Sequence, residues 1–310
     1  MAGEQIRIVL WAIPRTLSTA FTISMSHLDD VQVINHPFRS AHRFCSDGII
    51  SDHYDHSIDT RKQYYQHIAD TDIDDANTLD FLENFSDLQL KENIYEAEYP
   101  GKKVIFAREM MYAIDPPFEQ LPTGYRHVFL IRDPTKVIAS FEKFVKRRCS
   151  FLNDSKQCNF RNHVVFKPEI FFKKAFDLYE HLKKNGIDCN PVVIDCSDLL
   201  NDPEGTLRLY CQQLGIRFTE NLVRWWKRDS VFKEWRMSVM ERKEQTLLAF
   251  YENAFHSEGF QSTNQSPTIS SSQLSEDANY CIKVNLKYYQ RLHDVRIRPE
   301  QEKVTQYESS

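Results

Sequence analysis

Short apolar runs rich in β-branched residues punctuate the chain, each bounded by polar or turn-forming positions. Ile6, Ile8, Val9 and Leu10 make the first run and Val31–Ile34 the second. Lys103–Ala107 (KVIFA), His127–Ile131 and Pro191–Asp195 (PVVID) are the third, fourth and fifth. Runs of this length predict buried strands. Helical patterns fill the intervals. One helix follows the hydroxyl-rich stretch Thr16–Thr19, another covers about Thr60–Ala69, and a third spans Thr78–Leu90, apolar at Leu79, Leu82, Phe85 and Leu88. Asp133-Pro134 reads as an N-cap followed by proline at the first helical position. Later helices are expected over Glu169–Lys184, Glu204–Leu214 (after an acidic turn at Ser197–Pro203) and Glu276–His293. Strands alternating with helices predict an α/β fold, a three-layer sandwich around a central, mostly parallel sheet.

Composition narrows the picture. With 41% hydrophobic residues, the 310-residue chain can bury one large α/β domain or two ordinary ones. Its net charge of −5, from 44 acidic against 39 basic residues, lacks the basic surplus of a nucleic-acid binder. Any anion recognition must therefore be local. The basic run Lys143–Arg148 suits the solvated end of a helix, where cations favour the C-terminal dipole; it also offers added attraction for a polyanion. The N-terminal sequence has no signal-peptide pattern, and its first apolar run is too short to span a bilayer, so a cytoplasmic protein is expected. Seven scattered cysteines without metal-type spacing predict reduced thiols and no metal site.

Candidate chemistry is concentrated after the first strand. In Ile6–Phe21 (IRIVLWAIPRTLSTAF) a strand meets a short basic loop and then a helix N-terminus. Unpaired backbone N–H groups and the positive end of a helix dipole there form an anion cradle. Arg15 adds a full charge, and Thr16, Ser18 and Thr19 add side-chain donors. The loop lacks the glycines and lysine of G-x-x-x-x-G-K-[ST], which disfavours a nucleoside-triphosphate phosphotransferase. A second strand–helix unit, Arg126–Phe141 (RHVFLIRDPTKVIASF), places Arg132 at the strand's carboxyl end and Ser140 two turns into the helix. In an open parallel sheet both segments face one crevice.

The loop Pro-Arg-Thr-Leu-Ser-Thr resembles the 5′-phosphosulfate loop of the sulfotransferases, with Leu17 where most of that family has glycine. Arg132, Asp133, Pro134 and Ser140 resemble the same family's 3′-phosphate element. The resemblance implies a P-loop nucleoside-triphosphate-hydrolase-like (sulfotransferase) fold and a soluble enzyme. Its co-substrate would be 3′-phosphoadenosine 5′-phosphosulfate (PAPS), and its acceptor a hydroxyl or amine of a small molecule. Arg15 would stabilise charge on the bridging oxygen and 5′-phosphate. Thr16, Leu17, Ser18 and Thr19 would cradle that phosphate, largely through backbone N–H groups, and Arg132 with Ser140 would hold the 3′-phosphate. No metal is required. His36, after the second strand, and Glu109, after the third, are both open as the catalytic base, although the family's Lys-Thr-His context is absent here. Arg43 and Arg108 are candidates for neutralising sulfate or binding an acidic acceptor.

On this reading residues 1–256 form the core, with helical acceptor-side insertions at Arg39–Asp75 and Asn221–Phe255. Residues 257–275 form a flexible polar loop, 276–298 a docking C-terminal helix and 299–310 a disordered tail. Trp225, Trp226 and Trp235 belong to core or lid packing, or line the acceptor pocket. The expected partner is the small-molecule acceptor, with a homodimer left open, and neither nucleic acid nor membrane is expected. Two alternatives stand beside this reading: a sulfotransferase-like protein that binds nucleotide or a partner without turnover, and a nucleotide-kinase-type phosphotransferase.

Overall fold

The computed structural model describes residues 5–44, 78–79, 87–152, 160–161, 166–226, 231–238, 241, 254, 256–260 and 270–299. The expected helix at Thr60–Ala69, the middle of the polar stretch (261–269) and the tail from 300 onwards lie outside them.

Five strands form one sheet: β1 (Ile6–Ala12), β2 (Val31–Asn35), β3 (Val104–Met110), β4 (Tyr125–Ile131) and β5 (Val192–Asp195). Their order across the sheet is β2-β3-β1-β4-β5, and every neighbouring pair is parallel. The apolar runs form these strands because both faces are covered, as an all-parallel sheet requires. On one face Leu10, Phe106, Val128 and Ile194 pack under α1 (Ser18–Met25), with Leu207, Tyr210 and Leu214 from a later helix. On the other, Trp11, Ala107, Phe129 and Val193 share a core with α2 (Pro37–Phe44) and α3 (Pro134–Leu152), completing three layers.

The topology places the crevice. The chain leaves β1 towards β2 on one side and leaves β4 towards β5 on the other. This reversal opens a cleft between the carboxyl ends of β1 and β4, where open α/β sheets bind ligands. Both motif segments begin there.

Several elements differ from the sequence expectation. β3 continues through Arg108 and Glu109 to Met110, so these two residues belong to the strand and do not follow it. Their charges ended the apolar pattern, but each meets a neighbouring layer, Arg108 at Thr19 of α1 and Glu109 at the start of α2. The acidic stretch after β5 is partly helical: Asp195 caps α5 (Cys196–Asn201) by accepting from Ser197 N (2.6 Å). Asp202 then caps α6 (Pro203–Leu214), which follows α4 (Phe171–Lys184) in the chain and ends at Gly215 with φ 69°. Thr78–Leu79, assigned above to a helix, instead forms a two-residue parallel ladder with Met237–Ser238; Asp87–Leu90 is a single helical turn running into a π-turn at Lys91–Tyr95.

The segment before that ladder clamps onto the edge of β2. Asn35 N donates to Arg236 O and Arg236 N to Val33 O, both at 2.8 Å, while Trp235 Nε1 donates to Ser26 Oγ (2.8 Å). The last helix, α7 (Glu276–Asp294), packs against α3 and α4. Its buried Asn285 accepts from Phe172 N (3.0 Å) and donates to Pro168 O (2.7 Å) and Cys281 O (2.8 Å). No helix among the described residues is long and apolar enough to cross a membrane.

Candidate active site

The loop after β1 is built from left-handed backbone. Arg15 and Leu17 have φ of 70° and 61°, a region that L-residues enter at a cost. Thr16 between them is fully buried, and its hydroxyl donates to Ile13 O (2.6 Å), so it closes the turn. Thr16 O accepts from the Cys196 thiol (3.0 Å), whose pKa burial raises. Leu17 thus stands at a true left-handed site. Here its leucine side chain is partly buried against the α1-side core, which offsets the backbone cost.

Leu17 occupies the N-cap of α1 and offers no side-chain acceptor to the helix's first N–H groups; the first turn holds no acidic residue either. The described starts of α3, α5, α6 and α7 are each capped, by Asp133, Asp195, Asp202 and Ser275. At α1 the first-turn donors and the dipole remain available to an anion.

The two motif segments meet at this point. Arg15 Nε donates to Ser140 Oγ (2.9 Å), and Arg132 Nη1 donates to Arg15 O (3.1 Å). Two guanidinium groups and a hydroxyl therefore gather beside the α1 N-terminus, across the β1–β4 crevice. Thr19, in the first turn of α1, extends the cluster by accepting from Arg108 Nη1 (2.9 Å). Arg108 is fully buried, with its guanidinium 5.9 Å from the Trp235 ring.

The two candidate bases also come together, though neither lies open. Glu109 is fully buried on the opposite face of the sheet from Arg108. Its carboxylate accepts from Phe38 N (2.8 Å), Arg39 N (3.2 Å) and the Tyr95 hydroxyl, so it caps α2 from a neighbouring strand. Burial pushes its pKa up to about 7, against the lowering pull of these hydrogen bonds. His36 precedes α2 with φ 61°, its backbone N held by Arg108 O (3.0 Å) and its Nδ1 3.9 Å from Glu109 Oε2. Only 2% of His36 is exposed. Glu109 thus fixes the start of the helix that His36 directly precedes. Arg43 lies in α2, and its side chain falls outside the described residues.

Sequence reasoning missed Tyr95 and the register partnership of Asn35 with Arg108. Asn35 left one signal, a carboxamide closing a strand whose Val31, Val33 and Ile34 are apolar. Tyr95 left none, because its role arises from packing against Phe38 at 4.6 Å between ring centroids.

No protein-family model matches the chain. Among curated proteins, branched-chain-amino-acid aminotransferase-like protein 2 of Arabidopsis thaliana is 26% identical over 220 residues, covering 69% of this chain and 31% of that protein. Aminotransferase-like protein 1 of the same plant is 24% identical over 221 residues, with the same coverages. The chain thus spans about a third of the length of these curated relatives. Similar solved structures include the sulfotransferase domain from the curacin biosynthetic pathway, at 15% identity and a TM-score of 0.47, covering 92% of this chain and 99% of that one. The sulfotransferase domain from the Synechococcus PCC 7002 olefin synthase shares 13% identity at a TM-score of 0.44, over 91% and 96% of the two chains.

Proposed function

We propose that the protein transfers a sulfuryl group from PAPS to a hydroxyl or amine of a small-molecule acceptor. The observation that carries this reading is the Arg15–Ser140 hydrogen bond together with Arg132 on the Arg15 carbonyl. Residues 125 and 117 positions apart, singled out as two separate phosphate contacts, share one crevice beside an uncapped helix N-terminus.

In this reading the first N–H groups of α1 and Arg15 bind the 5′-phosphate of the donor, and Arg132 with Ser140 binds its 3′-phosphate. The acceptor's oxygen or nitrogen attacks sulfur, forming the new S–O or S–N bond as the bond to the bridging phosphate oxygen breaks. Charge grows on that leaving oxygen, where Arg15 and the helix N-terminus stabilise it. The acceptor's proton passes to His36. Glu109 faces Nδ1 of that ring and stabilises the imidazolium that forms. Glu109 is therefore a positioning group, and the base is His36.

Incubation with 35S-labelled PAPS and a metabolite extract should yield labelled product. Failure both to transfer label and to bind 3′,5′-ADP would overturn the reading. One observation favours the non-catalytic alternative: His36 and Glu109 are both sealed from solvent. Stabilisation by 3′,5′-ADP with no transfer to any acceptor would decide for it.

A further inference from the structure

β2 ends in a polar side chain that its surroundings leave unsatisfied. Asn35 is fully buried, and neither Oδ1 nor Nδ2 has a hydrogen-bond partner among the described residues. A carboxamide carries two N–H donors and an acceptor, and each such idle group in a native interior calls for a ligand, an ordered water or a functional reason. The sheet fixes what lies beside it. Asn35 is the register partner of Arg108 on β3, so both side chains leave the α1 face of the sheet from adjacent strands. Arg108 donates to Thr19, which sits in the helical turn directly behind the Arg15–Leu17 loop. The amide thus adjoins the place where the sulfuryl group would be held.

We infer that Asn35 and Arg108 together grip a carboxylate of the acceptor, so that the substrates are hydroxylated or aminated carboxylic acids. The inference rests on the sulfotransfer reading above. A planar guanidinium matches a carboxylate with parallel N–H···O bonds, and a buried cation rejects a cationic head group. Asn35 Nδ2 adds a further donor to the same oxygens. Its Oδ1 stays free to accept from a second donor of the acceptor, while the reacting hydroxyl or amine keeps its proton for His36. The Trp235 ring lies 5.9 Å from the Arg108 guanidinium. Access requires the Trp235–Arg236 segment to lift from β2, where two backbone hydrogen bonds and one indole bond hold it.

The test uses the full chain saturated with 3′,5′-ADP, titrated calorimetrically with 4-hydroxyphenylacetate and 3-hydroxybutyrate and with the methyl ester of each. At least one acid should bind, its ester at least about tenfold more weakly. Asn35→Leu should weaken that acid about tenfold while leaving 3′,5′-ADP affinity unchanged and the melting temperature equal or higher, because an apolar replacement removes an unsatisfied amide. Asn35→Asp, nearly isosteric, should abolish acid binding through charge repulsion. Equal binding of acid and ester, or binding of neither, would overturn the inference. So would an Asn35→Leu protein that melts several degrees lower yet binds the acid normally, which would assign the amide to a structural water. Failure to bind 3′,5′-ADP itself would instead strike the sulfotransfer reading.

Discussion

Leu17 shows how one residue can offset a strained backbone through its side chain. Its φ of 61° suits glycine, but its side chain reaches the core beneath α1. Leu17→Val should cost roughly 1–2 kcal/mol, because a β-branched residue tolerates this region poorly; urea denaturation would measure it. Ser140→Ala should weaken 3′,5′-ADP binding about fivefold and leave 5′-AMP binding unchanged, as calorimetry can check. Two buried groups tilt the pH profile in opposite directions. Glu109, raised by burial to about 7 from 4.5, contributes stability that is full below pH 4.5 and lost as the pH rises through 7. His127, lowered by burial to about 4 from 6.5, contributes stability that is full above pH 6.5 and lost as the pH falls through 4. Each contribution is on the order of 3 kcal/mol. The two windows overlap and largely cancel, so urea denaturation between pH 4 and 7 should show stability rising with pH in Glu109→Gln and falling with pH in His127→Gln.

At the scale of elements, much was legible in the sequence. All five strands announce themselves as apolar runs, and Asp133-Pro134 marks the start of α3. What escaped notice depended on partners distant in the chain. β3 runs three residues beyond its apolar pattern because Thr19 receives Arg108 and the N-terminus of α2 receives Glu109. Neither compensation is visible locally. Thr78–Leu79 is a strand only because Met237–Ser238 lies alongside it. The motif residues Arg15, Arg132 and Ser140 were readable from their spacing after strands. The pairing of His36 with Glu109, by contrast, required knowing which faces β2 and β3 present. The attachment of α7 is similarly non-local. Asn285→Ala would strip partners from one buried N–H and two carbonyls, costing about 2–4 kcal/mol in urea denaturation.

Over the whole molecule, a net charge of −5 coexists with a basic focus at the β1–β4 crevice. Nucleotide binding should therefore be sensitive to salt, and 3′,5′-ADP affinity should fall about tenfold between 50 mM and 500 mM NaCl as screening rises. The same division of charge appears in miniature on β3. Arg108 and Glu109 are neighbours in the chain, yet the pleat sends one towards Thr19 of α1 and the other beneath α2. The sheet acts as an insulating wall between two opposite charges that would otherwise neutralise each other. A slip of one residue would put a carboxylate beside the uncapped start of α1 and a cation against the start of α2, two unfavourable placements at once. The alignment of β3 is therefore keyed by polarity as well as by oiliness, and a misaligned chain would lose these polar anchors before it lost its core.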